Sequence, residues 1–378
     1  MREVVFVDFA RTAFCKPGGS LRSFSACTIG AECLKGLAAK SGIWERGGTV
    51  DSVFAGSVFR NKDSAAPVRY MTLLAGFPIE TEGHQVELQE GSALAAINHA
   101  ACQIALGYVD VAMAGGMESA STRPVFMSSV AEPYTGTAPA WLDMKLSPYP
   151  EQNISQREAS ILLAAKCGLV KSECEDYAQR SRQNLQAAYE AGLAGSDIVP
   201  MVIPATRKTP EVVIDQDQQP DSTSTDAALA DGAAFVLMMT AEKAKELGYT
   251  PYARWVMGAD IGVEPRFAGL GAIYAGLKAL KLAGLTPDDV DVWECSELSA
   301  EQNLAAIREL EEAGGCTIDK SKWNPNGGAV ALGLPGGACG AQMAQFAMKH
   351  LKTTGGRYGL ICASCGGGQG ATTIIERL

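Results

Sequence analysis

No stretch of this 378-residue chain runs as many as about 18 apolar residues without interruption, so neither a membrane-spanning helix nor a membrane partner is expected. Positive charge is the scarcer sign, with 32 Lys and Arg against 42 Asp and Glu and a formal net charge of −10. That balance opposes nonspecific attraction to nucleic acid or to an anionic membrane surface, because the electrostatic contribution has the wrong sign. A local basic pocket for an anionic ligand remains compatible with it. There are only three histidines, His84, His99 and His350, and none stands at metal-ligand spacing. Core, surface or helix-face roles are expected for them, and no zinc site. The eleven cysteines lack the regular spacing of a disulfide framework, which points to a reducing cytoplasm and to thiols used mostly as small buried hydrophobes. The first seven residues carry no basic segment followed by an apolar one, so no secretion signal is expected.

What is present reads as a soluble α/β protein. Hydrophobic residues make up 47% and charged residues 20%, and 41 glycines among many alanines favour close helix–strand packing. The length exceeds the ~100–200 residues of a typical domain, so two similar units, or one large body with an insertion, are expected. Residues 4–8 and 52–56 have the pattern of short buried strands, with a helix over 29–39 between them. Residues 92–106 are Ala-rich and apolar on most faces, hence a buried helix, and 109–114 with Gly115-Gly116 form a strand leaving it. The same sequence of small-residue helix, strand and glycine cluster recurs over 337–350, 358–362 and 366–368, which predicts an internal duplication. Between the halves, 119–225 is more polar, contains Pro124, Pro133, Pro139, Pro148 and Pro150, and carries an amphipathic stretch over 173–191. It is expected to form a loop-and-helix insertion over the site. A strand over 231–239 and a short helix over 241–247 follow, and the second half begins near Pro251.

Several phrases resemble thiolase landmarks in thiolase order. They are Phe9-Ala10-Arg11-Thr12-Ala13-Phe14, Gly115-Gly116-Met117-Glu118-Ser119, Asp231-Gly232-Ala233, Asn326-Gly327-Gly328-Ala329 and Arg357-Tyr358-Gly359-Leu360. The chain is thereby identified as a thiolase-superfamily member over essentially its whole length. The resemblance implies a duplicated α-β-α-β-α layered fold, each half built on a mixed five-stranded sheet. Residues 1–118 with 226–247 form the first half, 119–225 the loop domain and 248–378 the second half.

Thiolases of this pattern use a cysteine at a buried helix N-terminus, where the helix dipole and free amides favour a thiolate and can hold an oxyanion. Here the corresponding run is Val86-Glu87-Leu88-Gln89-Glu90-Gly91-Ser92-Ala93-Leu94, which puts Glu90 at the nucleophile position. In Ser296-Glu297-Leu298, Ser296 replaces the asparagine that positions a catalytic water, while Glu297 is retained as a pocket-organising residue. In Gly333-Leu334-Pro335, Leu334 replaces the catalytic histidine, and an isobutyl group can neither take a proton nor donate a hydrogen bond. In Ser364-Cys365-Gly366, Ser364 replaces the acid–base cysteine. The amides of Glu90 and Gly366 match the pair that cradles the acyl oxyanion. With a carboxylate at that place, either the side chain points away or it fills the hole itself. The positions nearest CoA also differ: Ala227 stands where a serine is usual, and Gln156 and Arg157 where a His-Met-Gly loop is usual.

No cofactor is expected beyond CoA or an acyl-CoA as ligand. The resemblance implies a homodimer or homotetramer, or a heteromer with an active thiolase or another acyl-CoA enzyme. Three functions stay open. The first is a non-thiolytic pseudoenzyme or structural partner. The second is a rewired CoA-thioester enzyme, a C–C lyase, decarboxylase or acyl/CoA transferase using Glu90. The third is an acetyl-CoA acetyltransferase, which needs a displaced cysteine such as Cys339 or Cys365. Cys362 and Cys365 have C-x-x-C spacing but are read as structural, and Arg207 and Lys208 as a solvated surface pair. A Glu294–Glu297 pair with a raised pKa would require the segment to turn, since residues three apart face opposite sides of a strand.

Overall fold

The computed structural model describes residues 1–129, 140–220 and 223–378. Pro133 and Pro139 of the proline-rich stretch lie outside them. The chain opens with β1 (Val4–Thr12), α1 (Ala26–Ser41), β2 (Ser52–Gly56), α2 (Pro67–Leu74), β3 (Glu82–Val86), α3 (Ser92–Leu106) and β4 (Val111–Glu118). A more polar stretch follows with α4 (Gln156–Cys167), α5 (Lys171–Glu190), β5 (Ile198–Val199), β6 (Met201–Ile203) and β7 (Val212–Ile214). The chain then returns through β8 (Gly232–Thr240) and α6 (Ala241–Glu246). It continues with β9 (Ala253–Gly262), α7 (Gly271–Ala283), β10 (Val290–Cys295), α8 (Ala300–Gly314), α9 (Ala329–Leu332), α10 (Cys339–Thr354), β11 (Tyr358–Cys365) and β12 (Gln369–Arg377).

Strand pairing makes the duplication explicit. In the first half β2 runs parallel to β4, β4 antiparallel to β8, and β8 antiparallel to β1. In the second, β10 runs parallel to β11, β11 antiparallel to β12, and β12 antiparallel to β9. The expected five strands per half hold only for the first, where β3 adds a parallel edge to β2. In the second half that fifth strand shrinks to one parallel bridge, Trp293 to Trp323, whose indoles stack with centroids 5.9 Å apart. Two bulky rings and the left-handed turn at Asn324 (φ 44°) take the space that further ladder pairing would use. The two sheets meet edge to edge through Val5–Arg254 and Phe6–Ala253.

Three apolar layers separate the sheets from solvent and from one another. One unites α3 and α10 with the inward faces of both sheets, the second packs α1 and α2 on the outer face of the first, and the third packs α7 and α8 on the outer face of the second. The central position explains why α3 and α10 are so rich in Ala and buried on nearly every side. Gly115 and Gly116, read from sequence as a strand end, lie inside β4. A Cβ at Gly116 would collide with the carbonyl of Gly337, so the glycine permits close approach between the halves. The polar stretch is fastened to β1 by a buried ion pair, Arg11 Nη1 to Asp217 Oδ1 at 2.6 Å. Among the described residues no helix is long and apolar enough to cross a membrane.

Candidate functional site

The N-terminus of α3 faces the turn that joins β11 to β12, and Glu90 sits where they meet. The chain leaves β3, passes through Gln89 in the left-handed region (φ 48°) and enters α3 after a tight turn over Gln89–Gly91. A non-glycine residue held there costs about 1 kcal/mol or more and marks a position fixed by its surroundings. Gly91 is required sterically, because a Cβ would lie 2.5 Å from Cys365 Sγ.

The Glu90 side chain is buried at 7% exposure. Its Oε2 accepts a hydrogen bond from the Gly366 amide at 2.9 Å, and its Oε1 accepts from Gln156 Nε2 at 2.5 Å. Burial pushes the carboxyl above the ordinary carboxylate range, opposed by the amides of Gly366 and of Glu90 itself and by Gln156. The carboxylate therefore occupies the Gly366 amide, one of the two amides identified from sequence. Gln156 is the first residue of α4, placed by a capping box in which the Ser155 hydroxyl accepts from the Glu158 amide and Glu158 accepts from the Ser155 amide. It reaches Glu90 itself instead of forming a separate outer contact. Together, Gln156 and Gly366 form one wall of a cavity of about 20 Å³, whose other walls include Ser160, Gly269, Leu298 and Gln302.

Two thiols flank the carboxylate. Cys339, at the start of α10, donates to the carbonyls of Glu90 and Gly336, each at 3.3 Å, and burial followed by the nearby Glu90 pushes its pKa up to about 12. Cys365 is raised well above the usual thiol range by the same causes in the same order. Both are held as thiols, the unreactive form.

The remaining sequence-identified positions form an inner ring. Ser296 follows β10, and its Oγ accepts from the Ser364 amide at 3.1 Å. The Ser364 hydroxyl donates to Gly269 O at 2.8 Å and accepts from the Ala272 amide at 3.1 Å, so it ties β11 to the start of α7. Leu334 is buried, its amide bonded to Ala228 O at 2.8 Å and its carbonyl accepting from Ala230 at 3.0 Å, on the segment that leads into Cys339. Glu297 turns away from this ring. Its carboxylate accepts from Tyr177 (2.8 Å), Ser181 (2.8 Å), Asn324 (3.0 Å) and the Val330 amide (3.1 Å). Those partners were not foreseen. Tyr177 and Ser181 stand four apart on the buried face of α5, a signal that hydrophobic periodicity carries only weakly.

The turn that a Glu294–Glu297 pair requires is present. β10 ends at Cys295, so strand alternation no longer applies at Glu297. Burial and then Glu297 push Glu294 well above the normal range, and its Oε1 has no hydrogen-bond partner. Arg157 and Ala227 are not drawn to Glu90. Arg157 is half-exposed and paired with Asp226 at 2.9 Å and Glu301 at 3.1 Å, and the Ala227 amide donates to Leu298 O at 3.1 Å. Cys362 lies across from Cys295 in the β10–β11 ladder, while Arg207 and Lys208 are exposed in a turn beyond β6.

Comparison with known proteins follows the same outline. The thiolase N-terminal domain matches residues 4–242 and the thiolase C-terminal domain residues 249–377. The mitochondrial acetyl-CoA acetyltransferase of Bos taurus is 35% identical over 400 residues, an alignment covering 100% of this chain and 92% of that protein. The beta-ketoadipyl-CoA thiolase of Acinetobacter baylyi is 33% identical and covered completely, as is this chain. The crystal structure of the Bacillus anthracis acetyl-CoA acetyltransferase superposes with a TM-score of 0.91 at 29% identity, covering 100% of this chain and 99% of the other.

Proposed function

The chain belongs to the thiolase family, and from that premise we propose that it handles CoA thioesters without passing through an acyl-cysteine. The observation that carries this reading is the Glu90 carboxylate bonded to the amide of Gly366, with its own amide beside it. In the family pattern those donors serve an oxyanion, and the residue at the head of α3 supplies a thiolate. A carboxylate there supplies no thiolate, and it fills a donor it would have to leave free. Leu334 and Ser364 stand in place of the family's remaining proton-transfer groups, and Ser296 in place of the asparagine that positions water. Loss of one such group typically costs about 10²–10⁴ in rate, and groups acting as a unit do not compensate for one another.

The direct test is to incubate the purified chain with acetyl-CoA, follow binding by calorimetry and look for a covalent acetyl group by intact mass. The expected result is binding with no acetyl-cysteine. An acetylated cysteine, mapped by peptide digestion, would refute the reading, as would the absence of any CoA-thioester binding.

A second reading is favoured by the names of the relatives, which are acetyl-CoA acetyltransferases. It assigns the nucleophile to Cys339 or Cys365. Their burial and raised thiol pKa oppose it, and the same mass measurement separates the two readings.

A further inference from the structure

A small cavity lies against Gln156 and Gly366, the two groups that hold the Glu90 carboxylate. Its volume of about 20 Å³ matches a single water molecule, which needs ~10–15 Å³ and two to four polar partners. Such partners are present. Ser160 Oγ accepts from Ser299 at 3.0 Å, which leaves its own O–H to donate. Gln302 Oε1 is taken by the Leu298 amide, and its Nε2 makes only a long 3.4 Å contact to Gly269 O, so its amide protons are barely used. The two nearby thiols donate to carbonyls. The Gln156 carboxamide and the Gly366 amide hold the carboxylate, and both residues line the cavity.

We infer that this site hydrolyses small acyl-CoA thioesters, with Glu90 as the general base for a water held in the cavity beside Gln156. The inference rests on the CoA-thioester reading above and adds the reaction to it. In the resting form the carboxylate fills the amide of Gly366. Swinging it toward the cavity places it on the water and frees that amide, beside the amide of Glu90, for the thioester carbonyl oxygen, so one rotation prepares the base and vacates the oxyanion donor. The water oxygen then bonds to the thioester carbon while its proton passes to Glu90. Collapse of the tetrahedral species breaks the C–S bond, and Glu90 returns the proton to the departing CoA sulfur. The products are a carboxylate, a proton and free CoA thiol, with no change of oxidation state. Burial of Glu90 raises its basicity toward the range useful to a base at neutral pH.

The test uses acetyl-CoA as probe with no acceptor thiol, reading free CoA with a thiol reagent. Wild-type protein is expected to release CoA, with a rate that rises with pH as Glu90 ionises. E90Q is expected to lose about 100-fold or more while still binding acetyl-CoA by calorimetry. Should E90Q misfold, the wild-type chain still decides. A single turnover in ¹⁸O-labelled water is expected to put label in acetate and none in Glu90. The inference is overturned if bound acetyl-CoA is not hydrolysed above the blank, if folded E90Q keeps the rate, or if label enters the Glu90 carboxylate. Failure of hydrolysis with acetyl-CoA bound sinks this inference alone. Acetylation of a cysteine sinks the earlier reading instead.

Discussion

Replacing Asp217 by Asn isolates what fastens the polar stretch to the first half of the fold. Arg11 and Asp217 are each 1% exposed and paired through Nη1–Oδ1 and Nη2–Oδ2, both at 2.6 Å. Oδ1 also accepts from the Phe14 amide at 2.6 Å, and Oδ2 from the Tyr189 hydroxyl. In Asp217→Asn the new NH₂ faces donors and leaves a buried guanidinium without its counter-charge, which typically costs about 3–5 kcal/mol. Unfolding entropy of about 2.1 cal/mol/K per residue gives roughly 0.8 kcal/mol/K for a chain of this length, so a loss near 4 kcal/mol lowers Tm by about 5 °C. Burial alone would raise Asp217, but Arg11 holds it below the usual carboxylate range. A depressed folded pKa contributes stability that is fully present above the unfolded value of about 3.9 and is lost as pH falls through the lower folded value. Thermal melting of both proteins between pH 3 and 8 is the assay. The Tm gap should be full near neutral pH and begin to narrow only below about pH 4. A gap under 1 °C at pH 7, or one that widens on acidification, would refute the reasoning.

Glu90 and Glu118 give the opposite pH dependence. Burial raises both in the folded state, Glu118 to about 7. Their contribution is complete below the unfolded value and fades as pH rises through the folded one, so Tm should fall from pH 5 to 8, and Glu90→Gln should flatten part of that slope. Thiol reactivity should follow exposure. Iodoacetamide at pH 7.5 is expected to modify exposed Cys102 first and to spare buried Cys339, whose thiol pKa burial pushes up to about 12, as peptide mapping will show. Ser364→Ala strips Gly269 O and the Ala272 amide of a buried partner and should cost about 1–3 kcal/mol in denaturant unfolding.

Local chemistry made some elements legible to the residue. β2 is a short apolar run between turn residues, and α3 an Ala-rich helix whose end is set by Gly107 in the left-handed region. Strands with glycines near their ends were read too short. β4 continues through Glu118, because Gly116 serves approach between the halves and not chain reversal, and β11 continues through Cys365 before the glycines at 366–368 reverse the chain. The second sheet's missing strand had no local sign either, since Trp293 and Trp323 meet only in the folded chain. At the site, residue identities were readable and rotamers were not. Sequence left Glu90 two places to point, and the choice depends on Gln156, 66 residues away, and Gly366, 276 residues away. Side chains fixed by such distant partners have no signature in their own neighbourhood.

The central claim is that thiolysis by way of an acyl-cysteine is absent, and the direct measurement is a thiolysis assay. Acetoacetyl-CoA and free CoA are mixed with the purified chain, and loss of the acetoacetyl-CoA enolate absorbance is followed beside an iodoacetamide-treated sample. With the Glu90 carboxylate on the amide of Gly366, the account predicts no loss beyond the protein-free blank and no difference on alkylation. Robust, iodoacetamide-sensitive turnover would contradict it and return the chemistry to Cys339 or Cys365.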